Sequence, residues 1–277
     1  MLHSELIKKL RIERNLSQEE LTKDVSQRST LSSFERQGTR ASFEILYAYL
    51  QRMNVTLEEY EYMLNSEHLS KQREVSREVS LNFSFPYKTT LAEKLQEEYR
   101  KTGNFFYYSL YAQYCLVRHH SKDKIPKAEL NKISKNVKSY LNRIQTWGRF
   151  ELVLFSNCLF LFGDEYIYYQ FTNAIHHMRL YKDSANYSND LLKFLINGMN
   201  LSYSRKSAKN SKLFWNELKK IACDYDDVKA KMICKVFELL FNHDNGVDNL
   251  EEKFELLLTL KILDESYWIE FINEHYQ

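Results

Sequence analysis

Six glycines and two prolines are all that 277 residues contain, about 3% of the chain where a usual globular sequence carries roughly 12% of the two together. A sandwich, barrel or propeller needs a Gly, Pro or Asn-Gly turn about every ten residues. The scarcity therefore argues against those architectures and points to an all-α chain with few or helical connections. With 44% hydrophobic residues, 20 Tyr and 17 Phe, there is ample material for a core, so the chain is not disordered.

Charge excludes further classes. The 39 basic and 37 acidic residues leave a formal charge of +2, so no global field recruits nucleic acid or an anionic membrane, and any such binding must come from a local patch. Met1 to Glu5 runs into charged residues instead of an apolar stretch, which predicts no signal peptide. The most apolar run, Phe150 to Phe162, is thirteen residues long and interrupted by Glu151, Ser156 and Asn157. A membrane span requires roughly 20, so the run reads as a buried helix and no membrane partner is expected. Cys115, Cys158, Cys223 and Cys234 lack CxxC or CxH spacing, as expected of reduced packing cysteines in the cytoplasm.

Catalytic signatures are missing as well. There is no P-loop, no GxGxxG and no HExxH. His119-His120 and His176-His177 are neighbours on predicted helices, where successive side chains diverge, so a shared metal is not expected. Cys223 and Cys234, beside Asp224, Asp226 and Asp227, fit no zinc spacing; the acids read as a solvated helix start. No nucleophile has an identifiable base. The expectation is a protein that is not an enzyme, with no catalytic residue, metal or cofactor.

Two textures divide the chain. Residues 1–65 read as short, closely capped helices, residues 66–87 as a polar linker helix and turn closed by Pro86, and residues 88–277 as long amphipathic helices in pairs. Thr102-Gly103-Asn104, Pro126, Trp147-Gly148 and Gly163-Asp164 punctuate the pairs, whose starts fall near 88, 126, 164, 205 and 248. Intervals of 38, 38, 41 and 43 residues are the period of a solenoid of about five helical hairpins, similar to tetratricopeptide repeats. The pairs share a pattern without a motif, and a single non-repetitive helical domain is the alternative.

In the first segment, Ser17 and Glu20 form a capping box that opens a helix carrying Leu21 and Val25 on one face. Ser26 is expected to cap the next helix, which buries Leu31 and Phe34, turns Arg28, Ser29, Thr30 and Ser33 outward, and ends at Gly38. Phe43, Leu46, Leu50 and Val55-Thr56-Leu57 would supply a closing helix and a return. A short helix, a tight turn and a second helix with small polar and basic residues outward is how hydrogen-bonding groups enter a major groove. Arg28, Ser29, Thr30 and Ser33 are candidates for base edges or nearby phosphates, and Arg14, Gln18 and Arg40 for phosphates. Residues 1 to 56 hold nine Lys/Arg against seven Asp/Glu, a modest local charge that dimerisation would double. A helical protein-interaction module is the competing reading.

At Arg11, Leu16 to Leu21, Val25, Leu31 and Phe34-Glu35-Arg36 the sequence resembles the Cro/repressor-type helix-turn-helix. The fourteen-residue step from Leu21 to Glu35 is similar to that of the Rgg/GadR/MutR regulators, as are Trp147-Gly148-Arg149-Phe150-Glu151-Leu152 with Phe155-Ser156-Asn157, and Leu191 to Asn197. Gln37 follows Glu35-Arg36 where that family usually has glycine, and Ser33 stands where arginine is common. The resemblance covers essentially the whole chain. It implies a cytosolic homodimer that binds double-stranded promoter DNA and whose C-terminal helical repeats bind a short signalling peptide, as in quorum sensing. It also implies that Arg11 pairs with Glu35, which outweighs a DNA contact there.

A concave repeat face can satisfy an extended peptide through side-chain amides. Asn157, Asn197 and Asn200 interrupt otherwise apolar helices and are candidates for that role, with Arg149 for a peptide carboxylate. Each could equally cap or bridge neighbouring helices. The aromatic runs Phe105 to Tyr108 and Tyr166 to Tyr169 are read as core. The last pair, with Leu256, Leu257, Leu258, Leu260, Trp268 and Phe271, is unusually apolar for a terminal repeat, and a dimer surface is expected there. The alternative function is a helical-repeat scaffold that binds and inhibits a partner protein without touching DNA.

Overall fold

The computed structural model describes residues 1–65, 68–84, 88–120, 125–181, 185–224, 227–247 and 249–276. Among these residues there are α-helices and two short 3-10 turns but no β-strand. The chain divides into two compact units, Met1–Lys88 and Thr89–Gln277.

The first unit contains α1 (His3–Glu13), α2 (Gln18–Thr22), α3 (Arg28–Gln37), α4 (Phe43–Arg52), α5 (Leu57–Leu64), α6 (Lys71–Leu81) and a 3-10 turn over Asn82–Ser84. Its helices are short because their ends are closed by local chemistry. At α2 the Ser17 hydroxyl accepts from the Glu20 N–H at 3.1 Å while the Glu20 carboxylate accepts from the Ser17 N–H at 2.7 Å. Thr56 and Glu59 repeat that box at α5. Gly38 at φ +64° takes the left-handed conformation that ends α3. Leu6, Ile7, Leu10, Leu21, Leu31, Phe34, Tyr49 and Leu50 form the core.

Two local expectations change. Ser26 does not cap α3: its hydroxyl shares a 2.5 Å hydrogen bond with the buried Tyr49 hydroxyl, and Gln27 occupies the cap position. Val25 lies in the turn after α2, beyond Asp24 at φ +58°. Phe43 opens α4, the expected closing helix, and is exposed there. The segment read as a linker contains α6, whose Arg73 reaches Glu58 at 3.3 Å and Glu61 at 3.4 Å on α5. Pro86 lies outside the described residues.

The second unit contains ten α-helices among the described residues, in five consecutive pairs: α7 (Thr89–Thr102) with α8 (Phe105–His120), α9 (Lys127–Arg143) with α10 (Arg149–Asn157), α11 (Asp164–Leu180) with α12 (Ala185–Ser204), α13 (Ala208–Asp224) with α14 (Val228–Asp244), and α15 (Leu250–Ile262) with α16 (Ser266–His275). They start at 89, 127, 164, 208 and 250, which is the hairpin period expected. Asp248, the anticipated fifth start, lies outside the described residues. Gly103, Gly148 and Gly163 stand at the breaks, and Pro126 immediately precedes α9.

Aromatic rings run through this core: Trp147 meets Phe155 at 5.3 Å, Phe155 meets Phe194 at 5.7 Å, and Phe194 meets Phe214 at 5.3 Å between centroids. Tyr107 and Tyr108 are buried as expected, whereas Tyr169 is exposed. The apolar run from Phe150 is two elements, since α10 ends at Asn157 and a 3-10 turn covers Leu159–Leu161. Arg205, the expected fourth start, lies before α13 and ties back to the Phe162 carbonyl at 2.8 Å, the Phe160 carbonyl at 2.9 Å and Asp164 at 3.0 Å.

Candidate DNA-contact face and ligand groove

On α3 the inward positions are Leu31, Phe34 and Glu35, which leaves Arg28, Ser29 and Thr30 exposed in its first turn and Ser33 half-buried one turn later. Arg36 and Gln37 at its end and Arg40 beyond it are also exposed. Arg28, Arg36 and Arg40 form no ion pair among the described residues. The face therefore presents hydroxyls and uncommitted guanidinium groups, the donor set suited to base edges and phosphate oxygens.

Glu35 anchors α3 from behind. Its carboxylate accepts from Arg11 at 2.7 and 2.9 Å and from the Gln18 amide at 2.8 Å, and Arg11 also donates to the Leu16 carbonyl at 2.8 Å. Side-chain exposure is 12% for Arg11 and 2% for Glu35. Burial alone would raise the Glu35 pKa, but hydrogen bonds from Arg11 and Gln18 and the Arg11 charge hold it below the ordinary carboxylate value. Gln18 thus orients Glu35. Arg14 donates to the Met53 carbonyl at 2.7 Å and the Leu10 carbonyl at 3.3 Å, closing the end of α4. Arg52, which drew no attention in the sequence, does the same for α2 through the Glu20, Leu21 and Lys23 carbonyls.

Within the second unit, a groove of about 800 Å³ is bordered by α8, α10, α12 and α16. Asn157, Asn197 and Asn200 all line it. Asn157 donates to Gln113 at 2.8 Å, Asn197 to the Ser156 carbonyl at 3.4 Å and Asn200 to the Tyr267 hydroxyl at 2.9 Å. Each amide thus bridges helices and also faces the groove. Arg149 is not among the lining residues; it pairs with Asp190 on α12 at 2.6 Å.

The α16 side of the groove was missed in the sequence. Tyr267, Glu270, Phe271, Glu274 and His275 line it, at spacings i, i+3, i+4, i+7 and i+8, one face of a helix. That periodicity is legible in the sequence, which however places Trp268 and Phe271 on a dimer surface. Both are buried within the chain, as is Leu260, while Leu256 and Leu257 are half-buried. Of the six residues expected on that surface only Leu258 is exposed.

Other chemistry stays outside this picture. No group of three or more His, Cys, Asp or Glu that could hold a metal occurs among the described residues. The side chains of His119 and His120, and Asp226, lie outside what is described. Cys158 is fully buried, which pushes its thiol pKa up, and burial raises Cys234 to about 11. No helix among the described residues is long and apolar enough to cross a membrane.

Comparison with known proteins gives two family matches. Residues 92–274 match the model described as HTH-type transcriptional regulator Rgg, C-terminal domain, and residues 7–60 match a helix-turn-helix model. Among solved structures, the chain is similar to a protein described as a transcriptional regulator from Listeria monocytogenes EGD-e, at 16% identity and TM-score 0.72, covering 98% of this chain and 94% of that one. It is also similar to the Streptococcus dysgalactiae SHP pheromone receptor Rgg2, at 18% identity and TM-score 0.70, covering 99% and 98%. A third is PrgX in its complex with cCF10, at 16% identity and TM-score 0.67, covering 98% and 97%. At these identities the structural likeness establishes the fold: an N-terminal helix-turn-helix followed by helical repeats.

Proposed function

The chain belongs to the Rgg family of HTH-type transcriptional regulators, and on that premise we propose that it is a cytoplasmic homodimer whose α3 reads promoter DNA under the control of a short signalling peptide held in the α8, α10, α12 and α16 groove. Residues 1–65 would form the DNA-binding part, 66–87 the connection, and 88–277 the part that binds peptide and dimerises. Arg28, Ser29, Thr30 and Ser33 contact base edges or the phosphates beside them, and Arg40 contacts phosphate. Arg14 and Gln18 act indirectly, by fixing α4 and Glu35. This is a regulatory role and not a catalytic one.

The observation that carries the proposal is the convergence of three amide side chains from α10 and α12 on one groove of peptide-binding size. Two solved relatives point the same way, one being a pheromone receptor and the other a complex with cCF10. If Arg28 takes a phosphate beside its base, as Arg40 does, each dimer makes four such contacts, which would weaken operator binding about a hundredfold between 50 and 200 mM salt. Gel-shift titrations on a promoter fragment recovered with the protein test this. Arg28→Ala should flatten the salt dependence, whereas affinity independent of salt would remove the phosphate assignments.

A further inference from the structure

The charged side chains of the groove share one sign. Glu270 and Glu274 lie one turn apart on α16, both exposed, and neither forms an ion pair among the described residues. No lysine or arginine is among the described lining residues. An adjoining recess of about 580 Å³ shares Ser204, Glu274 and His275 with the groove and adds Lys206 and Asp244, a pair that leaves the sum negative. Arg149, the candidate for a peptide carboxylate, is held by Asp190 instead.

The rest of the lining is apolar or amide-like. Leu159, Phe160, Leu201 and Phe271 supply apolar walls. Ser156, only 5% exposed, lines the groove and its hydroxyl has no hydrogen-bond partner, and the Asn200 carbonyl oxygen is likewise buried without one. Unpaired buried polar atoms are costly, and a ligand that supplies donors there relieves the cost. Such a lining suits a peptide with apolar side chains, whose backbone the hydroxyl and amide groups can meet, and sets no lysine or arginine against a carboxylate.

From these observations we propose that the groove selects a peptide that is apolar along its length and carries a cationic group, an amino terminus or a Lys or Arg side chain, set against Glu270 and Glu274. This inference rests on the groove being the peptide site. An exposed ion pair changes affinity by up to about fivefold, so two carboxylates give a selectivity of about five- to tenfold at low ionic strength that shrinks as salt screens it.

The test uses pools of synthetic octapeptides of Leu, Ile, Val, Phe and Gly, N-acetylated and carrying a single Lys, Gln or Glu, with a fourth Gln pool left with a free amino terminus. Binding to the full chain is measured by competition at low salt. The Lys pool or the free-amine Gln pool, according to which cation is used, should bind about five- to tenfold more tightly than the Glu pool. In the variant Glu270→Gln with Glu274→Gln, whose substitutions are at exposed positions, that preference should fall below twofold. If the Glu pool binds as tightly as the others and Asn197→Trp, at an exposed lining position, weakens all pools, the peptide site stands and the charge selectivity is overturned. If no pool binds saturably, both fall.

Discussion

Glu35 is a buried carboxylate that stays ionised because Arg11 and Gln18 surround it. Removing one member of such a pair leaves an uncompensated buried charge, so Arg11→Ala should destabilise the first unit by about 3–5 kcal/mol in a denaturant titration. Loss of only about 0.5 kcal/mol would mean that the pair is dispensable. The sign of the pH dependence follows from the depressed pKa. Stability from this carboxylate is fully present above the ordinary Glu value of 4.5 and is lost as pH falls through the lower folded value. Melting curves of the wild type should therefore drop below pH 4.5 more steeply than those of Glu35→Gln. At this scale the pairing was foreseeable from the family resemblance. The partners of Arg14 and Arg52 were not, because a guanidinium reaching a carbonyl 39 or 31 residues away leaves no mark on local spacing. Nor did the scarcity of glycine mean a scarcity of left-handed turns: Asn15, Asp24, Asn54, Lys206 and Asp264 take positive φ beside Gly38, Gly103 and Gly246. Asparagine and aspartate tolerate that region better than most side chains, which is how the chain turns often with few glycines.

Elements were legible where period and punctuation agreed. The five hairpins follow from breaks at Gly103, Gly148 and Gly163 and from amphipathic spacing, and they are found within a few residues of the expected starts. The end of α10 was hidden because Leu159 to Phe162 resume the apolar text directly after Cys158, so that Ser156 and Asn157 read as interruptions within one helix. Gly198, within α12, passed unnoticed among the punctuating glycines. A Cβ there would sit 2.0 Å from the Phe214 ring, so glycine lets α13 approach α12 closely. Alanine is the better helix former by about 1 kcal/mol, yet Gly198→Ala should destabilise the second unit by about 1–3 kcal/mol, since the Phe214 ring would have to leave its packed position. A thermal melt at or above the wild-type midpoint would show that the ring moves at no cost. The α16 face escaped for a related reason: tyrosine, glutamate and histidine at helical spacing look like an ordinary solvated surface until α8, α10 and α12 are found around them.

At the scale of the whole molecule, two surfaces decide whether this chain acts as a regulator. On α15, Leu250, Phe254, Leu258 and Ile262 recur every four residues and are exposed, Phe254 at 71% and Ile262 at 73%. Exposed apolar residues at this spacing suit an interaction surface, and the proposed dimer contact is placed there instead of on the residues that are buried. Light scattering on eluting protein should give twice the 33.3 kDa chain mass. Phe254→Glu with Ile262→Glu should halve it, and an unchanged dimer in that variant would direct attention to another face. The second surface is α3, on which peptide-controlled promoter reading depends. Chromatin immunoprecipitation with sequencing, with and without conditioned medium, tests it. Discrete promoter peaks are expected that are lost in Arg28→Ala with Thr30→Ala, with target transcription that changes with the medium. No discrete peaks under either condition would contradict it.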